Sequence, residues 1–279
     1  MGASGMLGNA VLRMFAQSPE YEVYGTVRSP SSAALLPATV RDRLIAGIEV
    51  TDPDSLLRAF DEARPVAVIN CVGLVKQLAA ANDPLDAIPL NAILPHRLAR
   101  ICAATGARLV HLSTDCVFSG TRGMYREDDF ADADDLYGRS KFLGETAAPH
   151  TITLRTSIIG HELAGARSLV GWFLAQTGPV KGFARAIFSG LPTVEIARVI
   201  RDHVLPRPAL AGLYHLSAEP ISKYDLLRLI GERYGKDIAI ERDEGLTIDR
   251  SLDSSRFRDA TGFTPPPWPI LVAAMASFR

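Results

Sequence analysis

The chain has 279 residues, a formal net charge of −1, and a hydrophobic share of 47%. That composition marks a globular protein with ample core for one large domain or two modest ones, and the balanced charge offers no basic face for nucleic acid. No apolar run approaches the ~20 residues that span a bilayer, and Cys71, Cys102 and Cys116 have neither disulfide nor zinc spacing, so neither a membrane nor a metal is expected and a reducing cytoplasm fits.

The chain opens on Met-Gly2-Ala-Ser4-Gly5-Met6-Leu7-Gly8, and an amphipathic run through Ala10, Val11, Leu12, Met14 and Phe15 follows. Glycines at this spacing permit a tight turn and let a pyrophosphate approach a helix N-terminus, whose free N–H groups favour anions. Gly2, Ser4, Gly5, Met6, Leu7 and Gly8 are therefore candidate cofactor contacts. A strand normally precedes such a turn, and the expectation is that this first strand is missing and the true start lies upstream. Residues 21–27 read as the next strand, ending at Arg28. An acidic residue there would hold the ribose hydroxyls of NAD(H), whereas an arginine suits a 2′-phosphate and favours NADP(H); an ordinary solvated arginine is the bland alternative.

Residues 44–50 read as a further strand. Asp52 is then either an adenine-side contact or the cap of a helix over 54–63. Residues 65–71 form a fully apolar strand of the kind buried in parallel sheets, and it runs into Cys71, Val72 and Gly73, where a missing side chain lets a cofactor come close. The stretch 85–105 is helical in pattern despite its prolines, with the direction of Asn91 open. Residues 108–112 are a short apolar strand ending in Ser113, Thr114 and Asp115. Farther on, Tyr137 and Lys141 stand four apart in a helical segment, which stacks them on one face. A phenol has an unperturbed pKa of about 10 and needs a neighbouring cation to transfer protons near pH 7. Lys141 supplies the cation and Thr114 a hydroxyl for the oxygen being protonated, although the same spacing also occurs in plain surface pairs.

In the C-terminal part, 153–159 reads as a strand, 168–175 as an apolar helix, and 183–192 as loop or a short strand pair. A helix over 193–204 has Thr193 as cap and Glu195 in its first turn; 212–217 is a strand that rejoins the main sheet, and Ser222 caps another helix. Strands alternating with helices at this rhythm predict an α/β fold, a Rossmann-type doubly wound parallel sheet with right-handed crossovers.

Taken together, GASGMLG, the strand-end STD and YGRSK, in this order, resemble the extended short-chain dehydrogenase/reductase family over essentially the whole chain. STDCVFSG, GMYREDD, LYGRSKFLGE, LRTSIIG and GLYHLSA bring the resemblance closer to the sugar-nucleotide reductases of the dTDP-4-dehydrorhamnose reductase type. The resemblance implies an NADP-binding Rossmann domain over 1–160, rejoined by 193–204 and 212–217, and a smaller, mostly substrate-binding lobe over 161–279. It implies a soluble homodimer with a nucleotide-sugar substrate. It also implies that Thr114, Tyr137 and Lys141 are catalytic: NADPH delivers hydride to C4 of a 4-keto-6-deoxyhexose, Tyr137 protonates the alkoxide, Lys141 lowers the tyrosine's pKa, and Thr114 steadies the carbonyl oxygen. Asp115, Cys116 and His161 become candidate substrate contacts. Arg250, in RSLDSSRF, is the candidate for the diphosphate, with Lys181 second; Asp253 and Arg256 are candidates for a mutual pair.

Two departures shape the expectation. The related 4,6-dehydratases follow their threonine with Asp-Glu, and here Asp115-Cys116 stands instead, which argues against a dehydratase. The reductases usually carry tyrosine where this chain has Cys116. A cysteine there resembles the epimerase/reductases that invert carbons beside the keto group with a cysteine and a histidine, so Cys116 with His161 is the alternative mechanism. A second alternative, a non-catalytic NADP-binding regulatory subunit like that of methionine adenosyltransferase, also resembles the family.

Overall fold

The computed structural model describes residues 1–74 and 79–279. The glycine turn leads into α1 (Met6–Ala16), then β1 (Gly25–Val27), α2 (Pro30–Ala34), β2 (Leu44–Ala46), α3 (Pro53–Ala63) and β3 (Ala67–Asn70). After α4 (Pro84–Ala87), a π-helical turn over Ile88–Ile93 joins α5 (Leu94–Thr105), which feeds β4 (Arg108–Thr114). Beyond it come α6 (Leu136–Leu143), β5 (Thr151–Thr156), β6 (Ile158–Ile159), α7 (Leu169–Ala175), β7 (Val180–Phe188), β8 (Leu191–Pro192) and α8 (Thr193–Val199), which a π-helical turn extends to Val204. The chain closes with β9 (Gly212–His215), β10 (Ile221–Ser222), α9 (Lys223–Tyr234), β11 (Ile240–Asp249), α10 (Ser255–Thr261) and α11 (Trp268–Ser277).

The main sheet runs β3-β4-β5-β9, all parallel, and β1 pairs in parallel with β2. Between β1 and β3 lies the backbone of residues 1–3. The Met1 amino group donates to Ile69 O at 2.8 Å, Cys71 N donates to Met1 O at 3.3 Å, and Ala3 N donates to Thr26 O at 2.9 Å. Beside Met1, Val11, Phe15, Tyr21, Val23 and Ile69 line an apolar groove of about 170 Å³.

Both faces of the sheet are covered, because strand side chains alternate between them. Val110 and Leu112 of β4 join Ile152 and Leu154 of β5 under α1, α8, α9 and α11. Leu109 points the other way, with Val68, to Leu56 and Phe60 of α3 and Leu94, Leu98 and Cys102 of α5. A second sheet of three strands runs β10-β7-β11, with β11 parallel to β7.

Several sequence expectations are corrected here. The strand foreseen over 21–27 is regular only at Gly25–Val27, because those three residues are the ones β2 pairs with. Residues 183–192 hold two strands, as one of the two readings had it, but not a pair: most belong to β7, whose partners β10 and β11 lie farther along the chain, and β8 pairs with β6. Thr193 is not the cap of α8, since Pro192 holds that position and no side chain caps the helix. Other expectations stand: Ser222 caps α9 by accepting from Asp225 N at 3.0 Å, and β9 joins the main sheet beside β5.

Candidate active site

The carboxyl ends of the parallel strands collect the chemistry, as doubly wound sheets do. Gly2 has φ +78°, which suits glycine, and its carbonyl accepts from Gly5 N at 3.1 Å. A Cβ on Gly8 would sit 2.0 Å from Gly2 O, so the turn and the first turn of α1 touch backbone to backbone. Gly5 caps α1 with no side-chain bond, which leaves the helix N-terminus without a competing side chain. Ser4, Met6 and Leu7 lie within the same turn. Opposite, the backbone of Cys71, Val72 and Gly73 continues from β3. A Cβ on Gly73 would stand 3.3 Å from Asn91 Oδ1 and 3.7 Å from Lys141 Nζ, so the bare glycine keeps a passage open beside the lysine. This cradle of glycine backbone at a helix N-terminus, ending next to an ammonium, fits a dinucleotide.

Thr114 ends β4 and turns the chain: its Oγ1 accepts from Cys116 N and donates to Asp115 Oδ1, each at 3.1 Å. Asp135 caps α6 by accepting from Gly138 N at 2.7 Å. A Cβ on Gly138 would lie 2.2 Å from Cys116 O, so α6 packs against the turn after β4 as closely as backbone allows. That contact brings Tyr137 to Thr114, within hydrogen-bond reach, and sets it against Cys116. One turn on, the buried Lys141 ammonium donates to Leu112 O at 2.7 Å. Asn91, buried in the π-helical turn, donates to Ser140 Oγ at 3.2 Å and accepts from Leu74 N at 3.0 Å, tying β3's exit to α6.

The electrostatics follow from burial. Desolvation lowers Lys141 from 10.5 to about 8, opposed by the charges of Glu145 and Cys71. Desolvation raises the Tyr137 phenol, and Cys116 and Asp115 push it further while Thr114 opposes. Burial thus moves the Tyr137 phenol opposite to the depression by Lys141 expected from sequence. Asp115 is raised by burial, with the nearby Arg250 acting against it.

The remaining candidates divide. Arg250 comes to this end of the site, its Nε donating to Phe118 O at 2.7 Å. Arg28 is exposed just past β1, and its charge adds to the Thr51 hydrogen bonds that lower the Glu49 carboxyl. Asp52 is a helix cap, accepting from Asp54 N at 3.1 Å. His161 stands apart from Cys116 in its bonding: its Nε2 meets Tyr234 OH at 2.8 Å, beside α1 and α11. Lys181, on the central strand β7, pairs with Asp243 of β11 at 2.9 Å on an exposed face of the small sheet. Asp253 meets Arg126 at 3.4 Å, whereas Arg256 stacks on Tyr214, so the foreseen Asp253–Arg256 pair does not form. Among the described residues no His/Cys/Asp/Glu cluster suits a metal, and no helix is long and apolar enough to cross a membrane.

Two residues that sequence reading passed over complete the surroundings. Glu145 stands four residues after Lys141, just past the end of α6, and it pairs with the buried Arg155 of β5 at 2.7 Å. The spacing of Glu145 was visible; its partner, ten residues on in another element, was not.

The model of the RmlD substrate binding domain matches residues 1–275. Methionine adenosyltransferase 2 subunit beta of Xenopus tropicalis is 26% identical, over 96% of this chain and 77% of its own length. The dTDP-4-dehydrorhamnose reductase of Aggregatibacter actinomycetemcomitans is 24% identical, over 96% of this chain and 94% of its own. The solved structure of dTDP-4-dehydrorhamnose reductase from Bacillus anthracis in complex with NADP has a TM-score of 0.81 at 21% identity, covering 99% of this chain and 95% of that one, a likeness of fold.

Proposed function

The chain belongs to the RmlD substrate binding domain family, and from that premise we propose that it is an NADPH-dependent reductase of the 4-keto group of a nucleotide-linked 6-deoxyhexose. One observation carries the reading: Thr114, Tyr137 and the buried Lys141 converge at the end of β4, beside the open backbone of Gly73. A pure binding module has no use for a protonated phenol and a desolvated ammonium at that place.

Gly2, Gly5 and Gly8 with the N-terminus of α1 would hold the pyrophosphate, Arg28 the 2′-phosphate, and Gly73 with Lys141 the nicotinamide side. Bound there, NADPH supplies the hydride. The protein's own part is proton transfer and positioning. Tyr137 gives its phenolic proton to the oxygen of C4 as charge develops there, and its raised pKa keeps that proton available at neutral pH. Thr114 Oγ1 hydrogen-bonds the same oxygen, and the Lys141 ammonium compensates the charge left on the phenolate. Asp115, Cys116 and Arg250 line the approach for the nucleotide sugar, whose lobe is built mostly by 161–279, apart from 193–204 and 212–217.

The test is NADPH oxidation, followed by absorbance, with a panel of dTDP-, UDP-, GDP- and CDP-linked 4-keto-6-deoxyhexoses. Oxidation with one of them names the substrate; none, with NADPH binding retained, turns the reading to a regulatory subunit, the alternative that the likeness to methionine adenosyltransferase 2 subunit beta favours. Cys116→Ser separates the epimerase alternative, because it would harm inversion and spare simple ketone reduction.

A further inference from the structure

The buried ion pair beside the dyad has no part in the chemistry just described. Glu145 and Arg155 have side chains only 9% and 2% exposed. Burying such a pair is a poor route to stability, since desolvation offsets most of the attraction and an apolar pair often does as well. What a doubly bonded guanidinium–carboxylate pair does provide is a fixed geometry.

That geometry faces the dyad on one side. Tyr137, Lys141 and Glu145 recur every fourth residue, and between them they engage the last three residues of β4. Tyr137 meets Thr114, Lys141 donates to Leu112 O, and Glu145 Oε1 accepts from Ser113 Oγ at 2.7 Å. Gly144 lets this end of α6 close down, because a Cβ there would lie 2.0 Å from Asn91 O. Arg155 holds both oxygens of Glu145, Nε to Oε1 at 2.8 Å and Nη2 to Oε2 at 2.7 Å.

The other side of the pair faces β9 and the loop between β4 and α6. Arg155 Nη1 donates to His215 Nε2 at 3.3 Å and to Glu127 O at 3.4 Å, and its guanidinium lies over the Phe118 ring. Because Arg155 Nη1 donates to Nε2, that nitrogen is an acceptor and Nδ1 carries the hydrogen that goes to Tyr125 O at 3.0 Å; burial lowers the ring's pKa to about 4. Tyr125 in turn pairs with the segment that follows β11: its N donates to Ser251 O at 2.9 Å, and its carbonyl accepts from Asp253 N at 2.8 Å. The same segment carries Arg250.

We propose that Glu145 and Arg155 are positioning residues for the reduction, Glu145 setting where Tyr137 and Lys141 stand against the end of β4, and Arg155 making that setting depend on how the Arg250–Asp253 segment is seated. A nucleotide sugar that seats the segment thereby tightens the proton donor. The role in turnover rests on the ketoreductase reading above; the mechanical coupling stands without it.

The test uses the full chain with Glu145→Gln, which keeps size and an acceptor but drops the charge, Arg155→Lys, which keeps the charge but drops the arms to His215 and Glu127, and the milder Ser113→Ala. Glu145→Gln is expected to lower kcat by about tenfold to a hundredfold with KM for NADPH within about threefold of wild type. Arg155→Lys is expected to lower kcat and also raise KM for the nucleotide sugar. Hydrogen exchange, which needs no substrate, should show both variants loosening 136–144 together with 250–253. Should the two larger changes prevent folding, Ser113→Ala is expected to lower kcat about threefold and to speed exchange in the same two segments. Wild-type kcat in a folded Glu145→Gln protein, or exchange confined to one segment in every variant, overturns the inference. If wild type turns over no nucleotide sugar, the ketoreductase reading fails, and the exchange pattern still decides the coupling.

Discussion

Replacing Lys141 by methionine should make the protein more stable while abolishing its turnover. Lys141 is 5% exposed, and among the described residues its ammonium donates to one backbone acceptor, Leu112 O at 2.7 Å. Desolvation lowers it from 10.5 to about 8, which at about 1.4 kcal/mol per pKa unit corresponds to about 3 kcal/mol of strain on the charged form. Methionine fills similar space without charge and forgoes one hydrogen bond worth about 1 kcal/mol. The net expectation is a gain of about 2 kcal/mol near pH 7, seen as a rise of several degrees in Tm. The sign with pH is fixed by the folded value lying below the unfolded one. Below about 8 both states hold the proton and the strain is complete; between about 8 and 10.5 the folded protein sheds it while the unfolded chain keeps it, so wild type gains stability as pH rises. Denaturant melts of both proteins at pH 7 and pH 10 should therefore show the gap narrowing at the higher pH. A variant less stable than wild type at pH 7, or a gap that ignores pH, would refute the argument that burial controls this lysine.

Other outcomes follow from the same geometry. Tyr137→Phe should bind NADPH like wild type by calorimetry yet lose about 10²–10⁴ in turnover, since it removes only the proton donor. Gly8→Ala places a methyl 2.0 Å from Gly2 O; NADPH binding should vanish and thermal stability should fall by about 3 kcal/mol or more, and a melt like that of wild type would contradict the packing described. Arg28→Asp should shift the ratio of kcat/KM for NADPH over NADH toward NADH by about tenfold or more, whereas an unchanged ratio would return Arg28 to the solvated surface.

The parts of this site that sequence made visible are those set by spacing along one element. Tyr137 and Lys141 share a helix face because they stand four apart, and α1 shows in the amphipathic run that follows the glycine turn. Asn91 could not be placed, since the π-helical turn that buries it depends on how α5 packs, a property of the sheet beneath. Residues 183–192 misled because β7 is half exposed and draws its partners from β10 and β11, far along the chain. The direction of the Tyr137 shift was misjudged for a related reason: the sequence supplies the neighbouring cation but not the burial that outweighs it. Glu145 was legible by spacing, but its meaning lay in Arg155, Ser113 and His215, which only the fold assembles.

The most direct measurement of the proposed reaction is isotopic. NADPH carrying deuterium at the transferable position is supplied with the nucleotide-linked 4-keto-6-deoxyhexose that supports oxidation, and the product is read by NMR. The account predicts deuterium on C4 of the sugar alone, and no label from D₂O on the neighbouring carbons. Solvent label on those carbons would instead show inversion chemistry, and a sugar without label would contradict the reduction itself.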